Sequence, residues 1–325
     1  EIGIINKMSA DESEAHVLSD GFGDNAKQQL RELIRQNYNH PSVIVWGLSN
    51  ELHQMTDEIF GLYSELYEIA CKEDDTRLKT FADNQFYGRF LELPADVVGY
   101  NRYFGWYKDA GSAENFGEWL DLYHNEKEKR PVCLSEYGGG GAISQHKDNV
   151  DWESDIDPVG VRHYENYQSQ LHEILWKQFS VRKYLWAEFI WCMFDFASYG
   201  RTEGDTKSLN DKGLCTRERI PKDVYFFYRS VWSGEKTVYI TERRHEYRAC
   251  DVPFVKVYSN ADTVELCIND VSLGRISRCE CPNNESTVFV WENVKIKPGT
   301  RNKIYAKAYF CDGTTKTDYA FWIGE

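Results

Sequence analysis

The chain has 325 residues and a formal net charge of −14 at pH 7; 42% of its residues are hydrophobic and 15% aromatic. That is length enough for about two domains and a sizeable core. The acidic balance argues against a nucleic-acid partner and against an anionic membrane surface, both of which call for a basic face, and no apolar run reaches the roughly 18 residues of a membrane-spanning helix.

Nine cysteines sit at irregular spacing. Cys133 and Cys192 lie in apolar runs and read as small core residues. Cys279-Glu280-Cys281 has no second pair to complete a zinc site. The abundant aromatic residues suit a sugar cleft, where ring faces stack on the C–H faces of pyranoses, and equally the filling of β-rich cores.

The chain opens at Glu1 without a methionine, in what reads as a strand over 2–6, as a piece of a longer protein would. No compartment follows from the lack of a leader. A helix is expected over 24–37, with Ala26, Leu30, Leu33 and Ile34 at helical spacing. His40-Pro41 stops it, because the residue before a proline is pushed out of the helical region. Val43-Ile44-Val45-Trp46 then reads as a strand buried on both faces, running to Asn50-Glu51. Thr56 is a suitable N-cap for a helix with Ile59, Leu62, Tyr63, Leu66, Tyr67 and Ala70 on its buried stripe. Further strands are expected over 78–81, 97–100, 131–134 and 184–194. Helical stripes lie between them at Phe116, Trp119, Leu120 and Tyr123, and again at Val161, Tyr164, Leu171, Ile174 and Leu175. Pro221 opens a last helix. Counted from residue 2 there are six strand-like runs, and their alternation with helices is the pattern of a parallel α/β fold.

From Asp251 the texture changes to short β-rich runs separated by turn residues: Asn260, Asn269-Asp270, Asn283-Asn284, Pro298-Gly299 and Asp312-Gly313. This predicts a β-sandwich over 251–325. Residues 233–250, with the charged run Glu242-Arg243-Arg244-His245-Glu246, read as a linker.

Two carboxylates, Glu51 and Glu136, each follow an apolar strand directly, where parallel α/β strands present active-site groups. Glycoside hydrolysis commonly uses such a pair, one as acid/base and one as nucleophile. A general acid then needs a pKa raised by burial or by a neighbouring carboxylate. Gly138-Gly139-Gly140-Gly141 is not a phosphate cradle, since no Lys-Ser/Thr follows. It reads as a flexible loop beside Glu136, with His146 within reach of the cleft.

Four motifs carry a resemblance, in order along the chain: Asn39-His40-Pro41-Ser42-Val43-Ile44-Val45-Trp46-Gly47-Leu48-Ser49-Asn50-Glu51, Asn101-Arg102-Tyr103-Phe104-Gly105-Trp106-Tyr107, Ser135-Glu136-Tyr137-Gly138 and the apolar run from Trp186 through Trp191 to Phe196. Together they resemble glycoside hydrolase family 2, the family of β-galactosidases, β-glucuronidases and β-mannosidases. The resemblance implies a (β/α)8 TIM barrel over 1–232 that lacks its first two strands, the missing pair lying upstream, and an immunoglobulin-like sandwich over 251–325. It implies Glu51 as acid/base and Glu136 as nucleophile. By the same resemblance Asn50 contacts the sugar 2-hydroxyl, Tyr103 hydrogen-bonds the nucleophile, Asn101 and Tyr107 line the glycone pocket, and Trp191 forms its floor. Asp195 is expected to bond within the rim.

Leu209-Asn210-Asp211-Lys212-Gly213-Leu214 bears on the sugar. Asn210 and Lys212 match an Asn-x-Lys motif of the family's β-glucuronidases, whose lysine pairs with the sugar carboxylate. The surrounding run, with Phe104-Gly105-Trp106-Tyr107 and Ile143-Ser144-Gln145-His146, resembles β-galactosidase-like bacterial members. The expectation is a retaining β-galactosidase acting on terminal β-linked sugars of a carbohydrate substrate. The alternatives are a β-glucuronidase and a non-hydrolysing carbohydrate-binding fragment. No organic cofactor is implied. Some β-galactosidases of the family use magnesium or sodium, but no ligand set here is metal-specific. The resemblance leaves room for a homo-oligomer of the longer protein.

Overall fold

The structure is a computed structural model that describes residues 21–52, 55–85, 87–281 and 287–325. The strand expected over 2–6 and the Asn283-Asn284 turn lie outside the described residues. The chain divides into two compact units. One holds the residues up to Tyr103 with Asn115–Tyr137 and Phe179–Ile190; the other holds Phe104–Glu114, Gly138–Gln178 and Trp191–Glu325.

The first unit contains α1 (Phe22–Asn37), β1 (Val45–Asn50), α2 (Asp57–Glu73), β2 (Leu78–Asp83), β3 (Val98–Asn101), α3 (Phe116–Glu126), β4 (Val132–Tyr137) and β5 (Leu185–Ile190). The strands pair in chain order, each parallel to the next. This is the strand succession of a TIM barrel. α1 buries Ala26, Leu30 and Ile34, one face of a helical repeat. α2 begins where its sequence dictates: Thr56 Oγ1 accepts the Ile59 N–H at 3.2 Å, and Asp57 and Glu58 complement the helix N-terminus. β1 buries Trp46, Gly47, Leu48 and Ser49 in succession, as a strand covered on both faces must.

Among the boundaries that differ from expectation, two have a plain hydrogen-bonding reason. β1 starts at Val45 rather than 43, because Val43 is committed to a turn. Its N–H donates to His40 O at 3.1 Å and its carbonyl accepts from Arg77 Nε at 2.8 Å. β5 ends at Ile190 rather than 194. Beyond it the backbone pairs with the 212–215 segment instead, Cys192 N–H donating to Lys212 O at 3.2 Å and Leu214 N–H to Cys192 O at 2.9 Å.

The second unit holds α4 (Trp152–Asp155), most of α5 (Glu165–Phe179), a hairpin of β6 (Phe196–Ala197) and β7 (Leu209–Asn210), and α6 (Asp223–Trp232). It continues through β8 (Val238–Ile240), β9 (Tyr247–Arg248), β10 (Asp251–Ser259), β11 (Thr263–Ile268), β12 (Val271–Ser277), β13 (Val288–Lys295), β14 (Arg301–Tyr309) and β15 (Thr315–Gly324). These form a sandwich of two sheets, ordered β13-β10-β8 and β12-β11-β14-β15-β9. Alternate residues of β11 and β14 are buried, the period of a strand with one face on the core. Val257, Leu266, Phe289, Ile304, Ala306 and Trp322 belong to that core. Asn269 and Asp270, at φ 49° and 65°, make the tight turn between β11 and β12.

The stretch expected as a linker, 233–250, is instead built into the sandwich. Val238–Ile240 pairs with β10 and Tyr247–Arg248 with β15. Its charges disguised it. Arg248 is only 2% exposed and is neutralised by Asp148 and Glu242, so a charged run leads into a strand that buries its arginine.

Candidate active site

The parallel strands of the first unit present polar side chains at one edge: Asn50 ending β1 and Glu51 just after it, Asp83 ending β2, Asn101 ending β3 and Glu136 near the end of β4. Asn101, 2% exposed, ties them together. Its Nδ2 donates to Asn50 Oδ1 at 3.1 Å and to Glu51 Oε1 at 3.0 Å, and its Oδ1 accepts from Ser135 Oγ at 2.8 Å. Just beyond, the Tyr103 hydroxyl donates to Glu136 Oε2 at 2.5 Å. The intervening Arg102 N–H donates to the Glu136 carbonyl at 2.9 Å. One strand end therefore supplies a donor to each carboxylate. Glu51 itself sits at φ 48°, a left-handed conformation that costs a non-glycine residue about 1–2 kcal/mol. Backbone strain of this kind collects at functional sites.

Asp83 was not foreseen. It is fully buried, and burial pushes its carboxyl up to about 7; the Gln85 N–H, donating at 2.8 Å, opposes the rise and the Glu51 charge adds to it. In the unfolded chain the same group titrates at the ordinary 3.8. The stability carried by this proton is thus full below about pH 4 and lost as the pH rises through about 7. Asp83→Asn stays uncharged throughout. It should gain stability on the parent protein between about pH 4 and 7, by up to roughly 4 kcal/mol. Urea unfolding across that range measures the gap, and a pH-independent gap would refute the buried charge.

In the second unit, Gly105 holds φ 76°, and a Cβ there would meet Leu171 and Ala113. This turn buries Trp106 completely and sends Tyr107 toward Lys212, whose Nζ lies 3.2 Å from the Tyr107 hydroxyl. Lys212 is 3% exposed, and its ammonium stands 5.6 Å from the Trp106 ring centre and 5.3 Å from that of Tyr107, within cation–π range. Asn210 Oδ1 accepts the Lys212 N–H at 3.1 Å, which shapes the loop. The Cys192–Lys212 backbone bond brings Trp191 beside that loop, where its ring meets Phe196 edge-on at 5.8 Å. The Trp191–Cys192 peptide is cis.

The structure thus groups Asn50, Glu51, Asn101, Tyr103 and Glu136 in one unit, and Tyr107, Trp191, Asn210 and Lys212 in the other. One expectation changes. The glycine run Gly138–Gly141 is buried rather than a loose loop; a Cβ at Gly139 or Gly140 would strike the Trp106 ring, so the absent side chains are what let the backbone pack there. His146 lies in the second unit, where it stacks on His245 at 5.5 Å, and burial lowers its pKa to about 4.

The family model for glycosyl hydrolases family 2, TIM barrel domain, matches residues 2–236. The chain belongs to glycoside hydrolase family 2. A second model, of a domain of unknown function, matches residues 252–316 in the sandwich. Among relatives, a β-glucuronidase of Bacteroides fragilis is 38% identical over 280 residues, covering 86% of this chain and 39% of that protein. An FMN-binding β-glucuronidase from Facaelibacterium prausnitzii L2-6 superposes with a TM-score of 0.84 at 32% identity, covering 99% of this chain and 46% of that one. A Bacteroides fragilis protein provisionally named a β-galactosidase gives 0.83 at 32%, covering 94% and 44%. The chain therefore spans less than half the length of each of these family 2 relatives.

A family 2 chain invites a search for cations. Among the described residues, Asp148, Glu242 and His245 come closest to a ligand set. Arg248 already pairs with both carboxylates, at 2.9 Å from Glu242, so a cation binding there would compete with a guanidinium. Asp83 could have been found by the rule that found Glu51, a carboxylate directly after a parallel strand. Ser135 and Lys222 gave no such signal.

Proposed function

We propose that this chain carries the catalytic carboxylates and the acid-recognising lysine of a retaining β-glucuronidase, cleaving terminal β-linked glucuronides. The observation that carries the sugar assignment is Lys212, a buried ammonium in an Asn-x-Lys loop, with its Nζ at the Tyr107 hydroxyl. An ammonium held at such a loop is a charge-assisted partner of the right kind for a glucuronate carboxylate. The relatives support the same reading, since the curated Bacteroides fragilis protein and the FMN-binding structure above are both named β-glucuronidases. The sugar expected from sequence, galactose, gives way to glucuronate on these grounds.

In this reading Glu136 attacks the anomeric carbon while Glu51 gives its proton to the departing oxygen. The glycosidic C–O bond breaks, an ester to Glu136 forms, and an alcohol leaves. Glu51 then takes a proton from water, which attacks the same carbon and releases Glu136. The Tyr103 hydroxyl, bonded to Glu136 Oε2, orients the nucleophile. Asn101 holds Glu51 through Oε1.

Lys212→Ala tests the sugar, in the full-length protein that carries this chain. Loss of a charge-assisted pair should lower kcat/KM for an aryl β-glucuronide roughly 10- to 100-fold and leave a neutral aryl β-galactoside nearly untouched. Turnover of the galactoside alone, indifferent to Lys212, would restore the galactosidase reading. Binding of either sugar without turnover would make the chain a carbohydrate-binding fragment.

A further inference from the structure

Lys222, the residue before α6, is completely buried. Its ammonium has three acceptors: Gly141 O at 2.6 Å, Asp195 Oδ1 at 2.8 Å and Asp211 O at 2.8 Å. That exhausts the three donors of an ammonium. Each acceptor lies on a different segment: the glycine run after β4, the segment that follows Trp191, and the loop of Asn210 and Lys212.

The contacts are reciprocal. Asp195 Oδ1 also accepts the Gly213 N–H at 2.8 Å, and Asp211 O also accepts the Gly141 N–H at 3.1 Å. The Lys222 N–H closes the ring by donating to Leu214 O at 2.9 Å. On the far side, Asp211 Oδ2 meets His163 Nδ1 at 2.7 Å. The Lys212 loop is thus gripped on both flanks of Lys212 itself, at Asp211 and at Gly213.

We propose that Lys222 is a positioning residue for sugar selectivity. It touches no substrate, and it fixes the loop that aims the Lys212 ammonium. The substrate part of this inference rests on the β-glucuronidase reading; the clamp itself does not. Lys222→Met keeps an unbranched apolar stem of nearly the same length and removes all three donors. Lys222→Arg restores a cation. Asp195→Asn weakens the clamp from its other partner and serves if Lys222→Met fails to fold.

Two readouts separate the ideas. Hydrogen exchange reads the clamp directly: the amides of Gly213 and Leu214 should exchange faster in Lys222→Met and Asp195→Asn, with the β1–β4 amides unchanged. Kinetics in the full-length protein read its purpose. Displacing the Lys212 ammonium should cost roughly 10-fold in kcat/KM for an aryl β-glucuronide, no more than its outright removal, mainly through KM, with partial rescue in Lys222→Arg. In a Lys212→Ala background, Lys222→Met should have almost no further effect, because both changes remove the same interaction. Unchanged exchange at Gly213 and Leu214 overturns the clamp. Full additivity with Lys212→Ala overturns the positioning role and leaves Lys222 a structural lysine. Absence of glucuronide turnover in the parent protein overturns the proposed function instead, and the exchange result then decides the clamp alone.

Discussion

Glu136→Gln should lower hydrolysis of an aryl β-glucuronide by on the order of 10⁴- to 10⁶-fold, the scale on which loss of an enzymatic nucleophile is felt. The substitution is close to isosteric. The amide oxygen can still accept from the Tyr103 hydroxyl, which now reaches Glu136 Oε2 at 2.5 Å, so the fold and the tyrosine are expected to stay in place. What disappears is the anionic oxygen that forms the glycosyl ester. The role is separable from general electrostatics by Glu136→Ala with azide. A small anion can fill the vacated volume, attack the anomeric carbon and displace the alcohol that Glu51 protonates. The product should be the α-linked glycosyl azide, inverted relative to the substrate. A β-linked azide, or no rescue with merely reduced hydrolysis, would remove Glu136 from the nucleophile's role.

Glu51→Gln carries the second large effect, and its size should depend on the leaving group. A phenol with strongly electron-withdrawing substituents departs without a proton, so its glycoside should form the glycosyl-enzyme almost normally. An alkyl glucuronide needs the proton and should slow by about 10²- to 10⁴-fold, the usual contribution of a positioned acid. With the activated substrate the second step becomes limiting, because no base remains for the attacking water, and a burst of phenol should precede slow turnover. Equal losses on both substrates would sink the acid/base assignment. The geometry gives the substitution a specific liability. Asn101 Nδ2 donates to Glu51 Oε1 at 3.0 Å, and a glutamine turned with its amide nitrogen toward Asn101 would break that bond. Glu51→Ala with the same pair of substrates controls for it.

Sequence and structure agree best where local chemistry decides. The cap at Thr56, the buried run of β1 and the turn at Asn269-Asp270 depend on near neighbours, and each was legible in the chain. The 233–250 stretch was misread for the opposite reason. Its polarity is real, but Asp148 and Glu242 neutralise Arg248 from elsewhere in the chain, and no periodicity reports a partner that distant. Gly138–Gly141 failed in the same way. A glycine run is ambiguous between freedom and close approach until the Trp106 ring that fills the missing Cβ positions is known.

The sequence by itself determined the residue types: two carboxylates at strand ends, a tyrosine that the family resemblance pairs with one of them, and an Asn-x-Lys loop. Motif order and hydrophobic pattern are one-dimensional properties, and they were enough to name the fold class and these residues. Only the tertiary structure decided how the groups are held. It set Asn101 as the link between β1 and β4, buried Asp83 until its proton is retained to about neutrality, and placed Lys222 at the junction of three loops. Burial and hydrogen-bond partnership arise from residues such as those 51 and 105 positions apart meeting in space, and that meeting is a property of the folded chain, not of any segment of it.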